Sequence, residues 1–224
     1  MDILATFMEY YRGSVSAKMG EVALSNLGVL FFDELPHFSK SVLEALREPL
    51  EDNKILISRV NSKILYETKF VFIGAMNPCP CGNLLSSVKE CRCNELEIQR
   101  YKNRLSEPFL DRMDLYVVMN DSFSDNQNRV TSKELHQNVI KAFIKQKNRG
   151  QSELNGKLSD EEIVKYCILD YESKDILEKA RINYQLSFRS VNKVLKVART
   201  IADLNDNELI TKKDLLQSLN FRRR

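Results

Sequence analysis

Gly28-Val29-Leu30-Phe31-Phe32-Asp33-Glu34-Leu35 is the stretch on which the reading of this fold turns. A run of apolar residues rich in β-branched and aromatic types predicts a strand buried on both faces. In open α/β sheets the ligand crevice lies beyond the carboxyl ends of the strands. Two adjacent carboxylates stand at that end here. Buried carboxylates are costly unless paired or bound to a cation. The pair therefore suggests a Mg²⁺-nucleotide site, Asp33 holding the metal and Glu34 activating a water. The same residues also suit a strand that simply runs into a solvated acidic turn.

Working outward, residues 21–25 suit a short helix before this strand. Residues 39–48 suit a helix after it, capped by Ser39 or by Ser41 with Glu44, and ended at or just before Pro49. Residues 54–60 and 63–68 predict a hairpin around Asn61-Ser62. Phe70-Val71-Phe72-Ile73-Gly74-Ala75 is a second apolar strand, and it too ends on a polar residue, Asn77. Residues 95–105 predict a helix and 115–119 a third buried strand. The Asn-, Asp- and Ser-rich residues 120–129 predict a linker.

Beyond the linker the pattern is helical throughout. Thr131-x-x-Glu134, Ser159-x-x-Glu162 and Thr211-x-x-Asp214 are capping signals, with further helices following Ser173 and Ser187. In the Ser187 helix, Val191, Val194, Leu195, Ala198, Ile201 and Ala202 form one face. Arg189, Lys193, Lys196 and Arg199 fall roughly opposite, as a solvated basic face would. Arg189 sits in the first turn, against the helix dipole, which hints at an anion nearby.

With 224 residues the chain suffices for one large domain or two small ones. A net charge of +3 does not by itself argue for nucleic acid. No apolar run approaches a membrane span and the N-terminus lacks a signal-peptide pattern, so a cytoplasmic protein without membrane contact is expected. In that setting five cysteines do not suggest a disulfide framework. Cys79-x-Cys81 and Cys91-x-Cys93 instead present two close thiol pairs, suited to structural Zn²⁺. Reduced thiols and a redox disulfide remain alternatives. Cys167 lies in a helical pattern and is expected to be buried.

Several motifs now come in a fixed order. They are Gly20-Glu21-Val22-Ala23-Leu24, the 28–36 run, Leu46-Arg47-Glu48-Pro49-Leu50-Glu51 and Ala75-Met76-Asn77-Pro78-Cys79-Pro80-Cys81-Gly82. Arg100-Tyr101, Arg104-Leu105-Ser106 and Pro108-Phe109-Leu110-Asp111-Arg112-Met113-Asp114-Leu115 follow, then Leu186-Ser187-x-Arg189 and Val197-Ala198-Arg199-Thr200-Ile201-Ala202-Asp203-Leu204. The series resembles the magnesium-chelatase-like branch of AAA+ ATPases, and within it the ComM/YifB competence-protein group. It covers nearly everything from Gly20 to Arg222.

The resemblance implies ATP and Mg²⁺ as cofactors. It implies Asp33 and Glu34 as Walker B, Asn77 as sensor 1, Arg112 as an arginine finger reaching the next subunit, and Arg189 as sensor 2 on a helical lid. Taken alone, Arg112 also suits a surface ion pair with Asp111 or Asp114. The resemblance further implies DNA as partner and a homo-oligomeric, hexameric ring: a branch-migration helicase for recombination during natural transformation. A magnesium-chelatase-type motor subunit, or a non-catalytic fragment that binds DNA or caps a ring, are the alternatives.

One family motif is missing. No G-x-x-x-x-G-K-[ST] occurs: Gly156-Lys157 is followed by Leu158, with Gln151 at the upstream glycine position. In the family this loop precedes Walker B, behind a Lon-like domain. The expected fold is therefore α/β: an incomplete AAA+ P-loop core (1–122), its parallel sheet missing the Walker A strand, followed by an all-α lid (123–224). Such a chain is expected to be the C-terminal part of a larger protein, marginally stable and without ATP turnover alone.

Overall fold

The computed structural model describes residues 20–59, 62–119 and 130–222. The expectations for residues 1–19, for the hairpin turn at Asn61 and for the 120–129 linker lie outside the described residues. The chain divides into two compact units, residues 1–112 and 113–224.

In the first unit, α1 (Glu21–Leu24) leads into β1 (Val29–Phe32), a 3-10 turn (Leu35–His37), α2 (Lys40–Ala45) and α3 (Arg47–Asp52). The strands β2 (Lys54–Arg59) and β3 (Ser62–Glu67) precede β4 (Val71–Gly74), and α4 (Glu95–Lys102) and α5 (Glu107–Leu110) follow. β2 and β3 pair antiparallel, as the predicted hairpin requires. β1 and β4 pair parallel, in the register Val29↔Val71 through Phe32↔Gly74.

Strand β1 is buried on one face, not two. Leu30 and Phe32 are buried, whereas Val29 and Phe31 are 58% and 54% exposed. The parallel register places Val71 and Ile73, also exposed, beside them. An apolar run signals a strand, but only a covering layer on each side buries both faces. The covered face carries the core. Phe32 stacks on Phe38 at 4.4 Å, and Phe72 meets Phe109 edge-on at 6.1 Å. Val42, Leu43, Leu46, Leu105 and Leu110 are buried in the same unit.

Ser39 caps α2, its hydroxyl accepting the Val42 N–H. Pro49 does not end the helical stretch. It lies in the first turn of α3, where a missing N–H leaves no hydrogen bond unmade.

Residues 115–119 do not form the third strand. They are irregular, and Leu115, Val117, Val118 and Met119 are 53–81% exposed. A strand needs a neighbour for its backbone groups, and among the described residues no strand pairs with this run. Within the second unit, the Tyr116 N–H donates to the Phe221 carbonyl at 2.8 Å.

The second unit is helical: α6 (Ser132–Asn148), α7 (Asp160–Tyr166), α8 (Tyr171–Asn183), α9 (Phe188–Leu204) and α10 (Lys212–Asn220). Complete capping boxes open α6, α7 and α10 from Thr131, Ser159 and Thr211. Helix α8 starts earlier than Ser173 suggested, because Asp170 is the cap and accepts the Ser173 N–H. The core joins Ile163, Cys167, Val194, Ala198, Ala202, Ile210 and Leu215. Among the described residues, no helix is long and apolar enough to cross a membrane.

Candidate functional site

Because β1 and β4 are parallel neighbours, their carboxyl ends share one edge of the sheet. The ladder continues one step beyond the strands: Ala75 N–H donates to the Phe32 carbonyl at 2.8 Å, and Leu35 N–H to the Ala75 carbonyl at 2.9 Å. Asp33 and Glu34 therefore leave one strand tip, and Asn77 follows the adjacent one. All three are exposed, so the carboxylates escape the burial penalty that the isolated stretch suggested.

The turn itself is tight. Glu34 adopts a left-handed conformation, φ 49° and ψ 44°, and its N–H donates to Asp33 Oδ1 at 2.8 Å. A non-glycine residue held there is strained, and such strain concentrates where a side chain must be aimed. Below the turn, Leu35 packs so close to Gly74 that an added Cβ would lie 2.8 Å from Leu35 Cδ2. An exposed carboxylate, a second beside it and an amide at the next tip suit a hydrated Mg²⁺ and a phosphate chain.

The Arg112 side chain is enclosed rather than solvated. Its guanidinium bonds Glu51 Oε2 at 2.6 Å and the Pro108 carbonyl, and its side chain is 6% exposed. Glu51, sixty-one positions away, carries no signal of this in the sequence. An open groove of about 340 Å³ runs along β1, lined by Glu21, Leu24, Ser25 and residues 29–32, none of them a candidate site residue.

The clustered cysteines do converge. Cys79, Cys81, Cys91 and Cys93 bring their sulfurs within 4.8 Å of one another. Cys79 lies 3.5 Å from Cys81 and 3.6 Å from Cys91, and Cys81 lies 3.7 Å from Cys91. A tetrahedron with metal–sulfur bonds of about 2.3 Å has edges of about 3.8 Å, so the thiols fit a closed four-sulfur site. Peptide N–H groups of Asn83 and Arg92 point at Cys81 and hold its thiol down at about 6. Desolvation, then the Cys81 and Cys79 thiols, push Cys93 up to about 12. Cys167, as expected, is buried elsewhere, and burial pushes its thiol up to about 11.

In the second unit, Arg189 lies exposed in the first turn of α9. The basic face expected around it does not form. Arg199 is 1% exposed, donating to Asp203 Oδ1 at 2.9 Å and to the Asn207 and Glu208 carbonyls at 2.7 Å. Lys193 meets Asp114 at 2.7 Å, and desolvation holds the Lys193 and Lys196 ammoniums below their ordinary value. Spacing alone could not separate Arg199 from its neighbours. The signal was Asp203, one turn on, with the right offset for a buried pair.

Comparison with known proteins adds the relations. Residues 10–127 match the magnesium chelatase subunit ChlI family, and residues 129–222 match its C-terminal family. Competence protein ComM of Haemophilus influenzae is 40% identical over 215 residues, 94% of this chain and 42% of that protein. YifB of Salmonella typhimurium is 39% identical over 211 residues, 91% of this chain and 40% of its own length. A Mycobacterium bovis protein is 34% identical over 203 residues, 86% of this chain and 39% of the relative. The chain thus spans about two fifths of the curated relatives it matches.

Proposed function

The chain belongs to the magnesium chelatase subunit ChlI family, in its ComM/YifB branch, and from that membership we propose that it is part of an ATP-driven AAA+ motor. What supports this best is the parallel pairing of β1 with β4, which gives Asp33, Glu34 and Asn77 a common sheet edge. Asp33 would support Mg²⁺, and Glu34 would polarise the attacking water. Asn77 would orient that water against the γ-phosphate. Phosphoryl transfer is largely positioning and charge neutralisation, and these groups supply both.

Arg112 and Arg189 complete the set as arginine finger and lid sensor, by resemblance. A finger must first be released from Glu51, so Arg112 is held in reserve by that carboxylate. The residues present include no phosphate cradle, since successive glycine N–H groups and a lysine are missing. Residues 1–224 alone therefore do not turn over ATP.

The working partner is DNA and the assembly a hexameric ring in the cytoplasm, on the model of ComM-type branch migration. The four cysteines hold structural Zn²⁺, since four protein ligands leave no open position for catalysis.

The test is a chimera that joins this chain, in register, to the upstream segment of ComM. Glu34→Gln and Asn77→Ala should each lower its ATP turnover by about 10²-fold or more. Turnover untouched by either change overturns the assignment. Turnover by residues 1–224 alone, abolished by Glu34→Gln, overturns the proposed dependence on the missing loop. Binding to DNA should weaken linearly in log–log with added salt.

A further inference from the structure

We propose that the four-cysteine centre is a metal-dependent clamp that sets the position of Asn77. This rests on reading the cysteines as a zinc site and Asn77 as the nucleotide-facing amide.

Asn77 is exposed and lies outside any strand or helix, so something must fix it. On its upstream side the sheet does so, through the Ala75 bonds to Phe32 and Leu35. On its downstream side the nearest fixed point is Cys79, two residues on and 0% exposed. Between Cys79 and Cys93 the chain has no helix or strand. Its backbone bonds include only local turns, Gly82 N–H to the Cys79 carbonyl at 3.0 Å and Ser86 N–H to the Asn83 carbonyl at 3.1 Å. Such a loop closes against its own conformational entropy, and metal binding to four thiolates offsets that cost.

The far end of the loop is fixed as well. Helix α4 starts directly after Cys93, with Asn94 and Glu97 as a complete capping box. Near its end, Tyr101 is 5% exposed and lies edge-on to His37 at 6.3 Å. Within the loop, Gly82, at φ +79°, lies against Asn77 itself: an added Cβ would come 3.9 Å from Asn77 Cγ.

Amide exchange of the 224-residue chain, with Zn²⁺ and after chelation, tests this without using nucleotide. One Zn²⁺ per chain should bind, and Co²⁺ in its place should give the absorption of a tetrahedral four-thiolate site. Removing the metal should speed exchange of residues 75–83 and 94–98 by about tenfold or more. Exchange in α9 should be unchanged, which guards against global unfolding. Cys93→Ser should reproduce the metal-free pattern. Zn²⁺ bound with identical exchange at 75–83 in both states overturns the clamp and leaves the zinc site standing. No bound metal, or a disulfide in its place, overturns both.

Discussion

Arg112 Nη2 lies 2.6 Å from Glu51 Oε2, with the arginine side chain 6% and the glutamate 32% exposed. The guanidinium also donates to the Pro108 carbonyl, so the cation is tied to α3 and to the start of α5 at once. The glutamate side of the pair still reaches water, which screens it and weakens the pair relative to a fully buried one.

A double-mutant cycle on Arg112→Ala and Glu51→Ala, read by urea denaturation, should give a coupling of about 1 kcal/mol. Glu51→Gln alone should raise the reactivity of Arg112 toward an arginine-specific reagent, because the carboxylate no longer covers it. A coupling near zero would mean that Arg112 is not restrained by Glu51.

Glu34 carries both a proposed catalytic carboxylate and a left-handed backbone. Glu34→Gly should relieve the strain and stabilise the chain by about 0.5–1 kcal/mol, after the greater freedom of glycine in the unfolded chain is set against it. Glu34→Gln should leave stability nearly unchanged, since φ 49° is retained. Thermal melts of both variants check this, and a destabilised glycine variant would contradict the turn geometry.

Asp203 is the centre of a buried polar knot. Its side chain is 0% exposed, bonded by Arg199 at 2.9 Å, by Asn155 Nδ2 at 2.8 Å and by Arg149. Asp203→Ala leaves Arg199 buried without its carboxylate and should cost about 3–5 kcal/mol. Asp175→Ala, which breaks the exposed pair with Lys179, should cost less than about 0.5 kcal/mol. Chemical denaturation of the two variants measures the contrast.

Several carboxylates in the helical unit titrate below their ordinary range. Ser152 and the Ser159 N–H lower Glu162, and Ser173 lowers Asp170. At Asp214 desolvation acts upward but is outweighed by bonds from Asn205, Thr211 and Asn207. A carboxylate depressed in the folded state stabilises above its unfolded pKa and loses that stability as pH falls through the folded value. Stability should therefore fall from about pH 5 downward. Asp214→Asn should have a lower Tm at pH 7 and a shallower decline between pH 5 and pH 3. Parallel declines for the two proteins would show that Asp214 is not linked to folding.

Local signals carried far in this sequence. The capping boxes at Thr131, Ser159 and Thr211 stand where their spacing predicted, because their bonds run only to the third residue along. The order of motifs was enough to reach the family, and the two thiol pairs marked the cluster in which four sulfurs converge. What the sequence alone left undecided is whatever depends on partners distant in the chain. Residues 115–119 read as a strand but have no strand neighbour among the described residues, and Phe31 read as buried but is 54% exposed. Arg112 found Glu51, and Arg199 went inside while Arg189 stayed out. A hydrogen bond within one helical turn is written in neighbouring residues, whereas burial and ion pairing are properties of the surface that another segment brings up against them.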